Sequence, residues 1–138
     1  MASELRVNTL KDASGNNSVG ISYVSNGSAK AWCNSDGTAI TSASDLTGVR
    51  DSFNISTVVD TSTGHFTLSW TSTMANENYS VSGMTTNFAG SSTNTNVLGV
   101  ENLSVPTPSS IDLNTVRTSS TTVTEREHNF ISLHGDLA

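Results

Sequence analysis

Two runs decide the fold of this chain: Val49-Arg50-Asp51-Ser52-Phe53-Asn54-Ile55-Ser56-Thr57-Val58-Val59 and, after a short loop, Phe66-Thr67-Leu68-Ser69-Trp70. Both runs are rich in β-branched and aromatic residues, and the loop at 60–65 contains Asp, Ser, Thr and Gly, which is the pattern of a β-hairpin. Phe66, Leu68 and Trp70 alternate with hydroxyl residues, so they share one face of their strand. The pattern predicts a hairpin with one face in a core and the other in water.

The segment ahead of this hairpin reads as a further strand, Ala29-Lys30-Ala31-Trp32-Cys33-Asn34. Its alternation places Cys33 on one side and Trp32 on the other. We interpret Cys33, the single cysteine, as a small buried apolar residue. Asp36-Gly37 is a turn signal, and the polar stretch 39–48 predicts a loop.

Short alternating runs recur through the rest of the chain and predict seven to nine strands in all. A strand is expected over 19–24, where Val19, Ile21 and Tyr23 alternate with other residues, and no amphipathic helix is expected anywhere. Further strand-like runs lie at 79–88, 97–105, 111–115 and 121–134. The prediction is an all-β fold, an antiparallel β-sandwich of jelly-roll-like type.

The first residues form a separate strand-like run at 3–10, followed by the breaker 12–17. We predict an N-terminal attachment arm at 1–17 with contacts through Leu5, Val7 and Leu10, ahead of a sandwich body at 18–138. Such an arm can add a strand to a neighbouring protein. The alternative is an ordinary first strand of the sandwich.

The composition favours a β-protein with a thin core, because about a third of the 138 residues are Ser or Thr and charge is sparse. A thin core gains stability by packing against copies of itself, so we expect an oligomer. The net charge of −6, with six scattered Lys and Arg residues, opposes nucleic-acid binding. No apolar run approaches the length of a membrane span, so no membrane insertion or secretion signal is expected.

Several pieces of the sequence together resemble a module of tail-fibre proteins from tailed bacteriophages, particularly phages of marine cyanobacteria. The pieces are Ala29-Lys30-Ala31-Trp32, the Asp36-Gly37-Thr38 turn, the strand at 50–56, the opening segment 3–15 and the closing Gly135-Asp136-Leu137-Ala138. The chain departs from the family pattern at Cys33, at Ser35 and in the loop at 39–48, which looks like an insert.

The resemblance implies a non-enzymatic virion structural protein, a homotrimeric fibre or spike for adsorption to the host surface. The expected partners are other virion proteins of the tail or capsid and a host surface glycan or protein, and the expected location is the virion. The alternative roles are a capsid head fibre or decoration protein attached through the arm and, less favoured, a small glycan-degrading spike enzyme.

No motif for nucleophilic, metal or phosphate chemistry is present, so we predict no catalytic residue, no metal site and no cofactor. Glycan cleavage would need a pair of carboxylates, and no spacing selects one. The candidate carboxylates are Asp36, Asp51, Asp60, Glu77, Asp112, Glu125 and Glu127. For Asp51 we favour an ion pair with the adjacent Arg50 or a turn anchor.

The histidines and tryptophans are the remaining candidates for a site. His128 and His134 have an even separation and share a face with Phe130. Three copies of this strand around a trimer axis would place imidazoles to bind a metal; the favoured interpretation is a surface or interface histidine with an ordinary hydrogen bond. His65 is expected to be solvated in the hairpin loop. For both Trp32 and Trp70 we favour core packing over stacking on a sugar.

Receptor recognition, if this is a fibre tip, is expected in loops, because loops on a rigid β-scaffold commonly make the binding contacts. The candidate loops are 39–48, 71–78 and 88–96. The residues expected to contact a receptor are Asn87, Phe88, Ser91, Asn94 and Asn96.

Overall fold

The structure is a computed structural model that describes residues 6–86, 96–101, 104–118 and 122–138. Within these residues the elements are the strands β1 (Thr9–Lys11), β2 (Ser18–Gly20), β3 (Ala31–Ser35), β4 (Val49–Phe53), β5 (Ile55–Ser62), β6 (His65–Trp70), β7 (Ser80–Thr86), β8 (Asn96–Val100), β9 (Ser110–Arg117), β10 (Thr122–Val123) and β11 (His128–His134), and the helix α1 (Ile21–Gly27).

Two antiparallel sheets form the body of the protein. The front sheet has the strand order β4-β3-β11-β7, and the back sheet has the order β5-β6-β9, with β8 and β10 also paired to β9. β6 pairs with residues 110–114 of β9, and β10 pairs with residues 116–117 of β9. β8 pairs with residues 113–117 of β9. β6 and β10 therefore share one edge of β9, and β8 occupies the other. The predicted all-β antiparallel sandwich is confirmed.

The hydrophobic core lies between the two sheets and takes alternate residues from each strand. Both sheets contribute to the one cluster of buried apolar side chains, which are Ala31, Cys33, Ile40, Ile55, Val58, Phe66, Leu68, Trp70, Met74, Ile111, Leu113, Ile131 and Leu133. The predicted inward face of Phe66, Leu68 and Trp70 is confirmed, as is the burial of Cys33. Burial raises the pKa of the Cys33 thiol to about 11, so the thiol stays protonated near neutral pH.

The run from Val49 to Val59, predicted as one strand, is in fact two strands in different sheets. The break is at Asn54, which has a positive φ of 58°. Asparagine tolerates this region better than β-branched residues do. The Asn54 side-chain amide donates to the carbonyl oxygens of Lys30 and Ser72, and its Oδ1 accepts from the Ser72 N–H. These bonds hold the corner at which the chain passes from the front sheet to the back sheet.

The N-terminal region differs from the prediction. The strand expected over 19–24 continues only to Gly20, and the short helix α1 follows in place of its second half. None of the residues of α1 is buried, and Tyr23 is 77% exposed, so no apolar face of the helix is buried against the sandwich. Without a neighbouring sheet strand, the backbone bonds locally, as in the Ser28 N–H donating to the Val24 carbonyl.

β1 pairs with β2 in a separate two-stranded sheet, and neither sandwich sheet contains β1. The Asp12 carboxylate holds the connecting turn, because it accepts hydrogen bonds from the Ser14 hydroxyl, the Asn16 N–H and the Asn17 amide. Of the predicted arm contacts, Leu10 is 41% exposed and Val7 is half-buried, while Leu5 lies outside the described residues. The alternative of a first sandwich strand is not seen.

Candidate interaction face of the front sheet

The outward side of the front sheet, here called the front face, follows directly from the strand alternation. Ala31, Cys33 and Ser35 of β3 point into the core, so the intervening Trp32 and Asn34 point outward. The same rule applies to the neighbouring strands, and the register aligns their outward residues in two adjacent rows. The rows are Phe53-Trp32-Ser132-Ser82 and Asp51-Asn34-Phe130-Met84.

Large apolar side chains remain uncovered on this face. Met84 is 70% exposed, Phe53 is 56% exposed and Phe130 is 41% exposed, while Trp32 is half-buried among them. Trp32 lies directly opposite Phe53, and Phe130 lies directly opposite Met84. Four large apolar groups on one sheet face form a patch of the kind that marks an interaction surface.

The floor of the patch is a shallow depression with neutral polar groups at its centre. The Ser82 and Ser132 hydroxyls are 2.8 Å apart and hydrogen-bonded, and the Asn34 Oδ1 is covered but has no hydrogen-bond partner among the described residues. Asp51, on the edge strand β4, is the one carboxylate among the outward residues of the four strands. Apolar and aromatic groups with little charge are typical of the centre of a protein interface.

The predicted shared face of His128, His134 and Phe130 is confirmed by their alternation in β11. The rings of His128 and Phe130 are stacked, with centroids 6.1 Å apart and planes at 14°. No group of three or more His, Cys, Asp or Glu residues in the described part of the chain is arranged to hold a metal ion.

The two tryptophans have different environments, which corrects the expectation that both pack in the core. Trp70 is buried, donates from Nε1 to the Pro108 carbonyl at 2.7 Å, and meets the Tyr79 ring edge to face at 5.3 Å. Burial raises the pKa of Tyr79 to about 12. Trp32 instead lies on the front face. The alternation within one strand assigns its residues to the two faces of the sheet, but it does not show which face is covered by other parts of the protein.

Two of the three predicted recognition loops, 39–48 and 71–78, lie wholly in the part of the chain that the structure describes. The loop at 71–78 lies against the chain end, with the Ala75 N–H donating to the Asp136 carbonyl. The loop at 39–48 runs along β5, where the Asp60 N–H donates to the Thr41 carbonyl. Four of the expected receptor contacts lie outside the described residues: Asn87, Phe88, Ser91 and Asn94. Asn96 is the half-buried first residue of β8.

Two expectations for charged side chains are wrong. His65 is not solvated in a loop: it begins β6, it is partly buried, and its Nδ1 lies 3.2 Å from Glu101 Oε1. Arg50 pairs with Asp36 at 2.8 Å and not with Asp51, because Asp51 points to the front face while Arg50 reaches the end of β3. The Asp51 carboxylate caps the Ser52 N–H.

The fold brings together two of the candidate carboxylates, Asp60 and Glu125, at a small cavity that also contains the Arg126 side chain. Sequence spacing did not single out this pair, because Asp60 lies in β5 and Glu125 lies in the segment between β10 and β11, far away along the chain. The cavity accepts a water-sized species and has no room for a sugar ring. Its dimensions do not support glycan cleavage there.

The front face was also missed from the sequence, although Trp32 and Phe53 were both recognisable as strand residues. The missing information was the register between β3, β4, β7 and β11, which are far apart along the chain. In the described residues, no helix is long and apolar enough to cross a membrane. Comparison with protein-family models, with curated proteins and with solved structures found no match.

Proposed function

We propose that this chain is a structural, non-enzymatic module of a tailed-phage virion, which self-associates through the front face into a trimeric fibre or spike for adsorption to the host surface. The sequence resemblance to tail-fibre modules supports the viral assignment. The single structural observation behind the proposal is the uncovered apolar patch of Trp32, Phe53, Met84 and Phe130.

A second copy of this chain is the occupant that best fits the front face. The patch is broad, aromatic and nearly free of charge, as in interfaces between identical subunits. The thin, hydroxyl-rich sandwich would gain buried apolar area by covering it. A sheet face can be shared around a symmetry axis, and closed symmetry prevents the open-ended association that an exposed apolar face would otherwise cause.

The N-terminal hairpin and α1 supply the second part of the proposal, attachment to another virion protein. Apolar side chains along this region remain exposed, namely Leu10, Val19, Ile21, Tyr23 and Val24. The hairpin is paired only with itself among the described strands, so its edges are open to strand addition. This observation also favours the alternative role, a capsid head fibre or decoration protein held through the same arm.

The self-association is tested by light scattering after size-exclusion chromatography. We expect the wild-type protein to have the mass of three chains at micromolar concentration. Phe130→Asp should raise the dissociation constant at least about 30-fold, since a charge at the centre of an interface costs about 2 kcal/mol or more. Val97→Asp is the matched control, because Val97 is a 46%-exposed outward residue of the back sheet. A wild-type monomer, or equal effects of the two changes, would contradict the proposal.

The role on the particle is tested by electron microscopy of purified virions with a tag on this chain. Label at the tail or its fibres would support host adsorption, and a host-cell binding assay would follow. Label over the head would support the capsid alternative, and deletion of residues 3–10 should then abolish particle association. Absence of label from all particles would remove the virion assignment.

A further inference from the structure

The strand β4 forms an open edge of the front sheet. It pairs with β3 on one side, and no described strand pairs with its other side. Among the described loops, none bonds through its backbone to residues 50–53 of this strand. An unpaired strand edge presents N–H and C=O groups to which a strand of another protein can add. Strand addition at β4 would therefore compete with contacts made through the adjacent front face.

The neighbouring edge strand, β5, is protected in a different way. The loop at 39–48 runs along it, with the Val58 N–H donating to the Asp45 carbonyl and the Asp60 N–H donating to the Thr41 carbonyl. The loop backbone thus uses donors of β5 that an added strand would need. β4 has no such cover in the described part of the chain, so its protection comes from its own side chains.

The Asp51 carboxylate lies at the edge of β4. Its Oδ1 accepts from the Ser52 N–H at 2.8 Å, so a backbone donor of this strand is already satisfied. Arg50, the other charged residue of β4, is paired with Asp36 and donates to the Glu127 carbonyl. Asp51 has no ionic partner among the described residues, and it is exposed. A free charge on an edge strand is a common protection against strand addition.

Pairing of two β4 strands would also bring this charge close to itself. Antiparallel pairing over the whole strand, Val49–Phe53, places the middle residue, Asp51, directly opposite Asp51 of the second copy. The Cβ atoms of directly opposite residues are about 4.5–5.5 Å apart, and like charges at this position are destabilising. The carboxylate thus opposes edge pairing in two ways, by occupying a backbone donor and by repelling its own copy.

We propose that Asp51 closes the β4 edge, which without this carboxylate accepts the β4 strand of a second copy in antiparallel pairing. The inference goes beyond the proposed self-association and does not require it, because the edge is closed in a monomer and in a trimer alike. In the proposed trimer, the closed edge would restrict association to the front face.

The first test is the mass of Asp51→Thr by light scattering, since threonine favours strands and lacks the carboxylate. We expect a mass at least twice that of the wild type at the same micromolar concentration. Amide hydrogen exchange at Ser52 should slow as the concentration of this variant rises. Asp51→Asn keeps an acceptor for the Ser52 N–H and should associate less than Asp51→Thr. Glu77→Thr is the matched control, because it removes the same charge from an exposed loop position and should leave the mass unchanged.

A double variant separates the edge from the front face, where Asp51→Thr also removes a charge. Phe130→Asp places a charge at the centre of that face, so the double variant Asp51→Thr with Phe130→Asp should still form particles of two chains with a protected Ser52 amide. Phe130→Asp alone should not form them.

A monomeric double variant would overturn the proposal, and so would an unprotected Ser52 amide in associated Asp51→Thr. A wild-type monomer would contradict self-association through the front face, while the double variant would still decide the role of Asp51.

Discussion

The outward faces of the two sheets differ sharply, although both sheets bury the same kind of aliphatic and aromatic residues inside. The front face exposes Trp32, Phe53, Met84 and Phe130. The central strands of the back sheet instead present hydroxyl, amide and carboxylate groups at Thr67, Ser69, Asp112 and Asn114, which are partly buried. The central strands of the back sheet are suited to water, while the front face would gain free energy if it were covered. Under the proposed self-association, the front face is the associating side of the sandwich.

The hydrogen bonds of the polar side chains also differ between the front face and the back face. On the back face the Asp112 carboxylate accepts from both the Thr67 and Ser104 hydroxyls, so its charge is satisfied within the chain. On the front face the Asn34 Oδ1 is covered, and no residue that the structure describes donates a hydrogen bond to it. Buried polar atoms normally have a partner, so this oxygen is a candidate acceptor for a donor from a second copy.

The largest contrast expected is between the core and the front face. Leu68→Ala, in the fully buried centre, should lower the free energy of unfolding by about 2–5 kcal/mol because it leaves a cavity. Met84→Ala, at a 70%-exposed position, should change the monomer by no more than about 0.5 kcal/mol while weakening self-association. Urea unfolding at protein concentrations below the dissociation constant of the oligomer measures the monomer stability of both variants. A large monomer effect of Met84→Ala would show that the front face is already covered within the chain.

The two sides of β3 offer a second contrast, because Cys33 points inward and Trp32 outward. The folded thiol has its pKa raised from 9.0 to about 11, so the unfolded chain ionises first as pH rises. The stabilisation is therefore present below pH 9 and should be lost between about pH 9 and pH 11, by about 3 kcal/mol in total.

Urea unfolding of the wild type and of Cys33→Ala across this pH range measures the effect, and the difference between the two curves isolates Cys33 from tyrosine and lysine titration. Parallel curves would mean that the thiol is accessible to solvent. Trp32→Ala should leave this pH dependence unchanged.

Substitutions at the corner between the two sheets test whether the sheets depend on each other for stability. Asn54→Val should destabilise the fold by about 1–3 kcal/mol, because valine is strained at positive φ and cannot make the three side-chain bonds. Asn54→Gly is the matched control, as it relieves the strain and loses only the bonds. Equal thermal unfolding temperatures of the two variants would show that the backbone conformation at this corner contributes little to stability.

The smallest effect is expected on the back face. Thr67→Val removes one hydrogen bond to Asp112 and leaves the bond from Ser104, so it should cost about 1 kcal/mol. The oligomer mass should not change. If this variant dissociated the oligomer, the back face would be the associating side, and the comparison between the faces would be reversed.

The sequence determined the features that depend on local periodicity. The alternation of Phe66, Leu68 and Trp70 predicted both a strand and its buried face, because side chains in a strand point to opposite sides with a period of two. The repeated short runs predicted the antiparallel sandwich, and the position of Cys33 predicted its burial. These properties depend on neighbours along the chain, so no alignment of distant strands was needed.

The tertiary structure decided what depends on the pairing of distant segments. The register of β11 with β3 and β7 places Phe130 beside Asn34 and Met84 and so builds the front face. The path of the chain at Asn54 divides one apparent strand between two sheets, and the absence of a sheet partner allows α1 to form after β2. Burial of Arg126 likewise results from the meeting of separate loops. Each of these depends on contacts between residues far apart in sequence, which the period of a single strand does not encode.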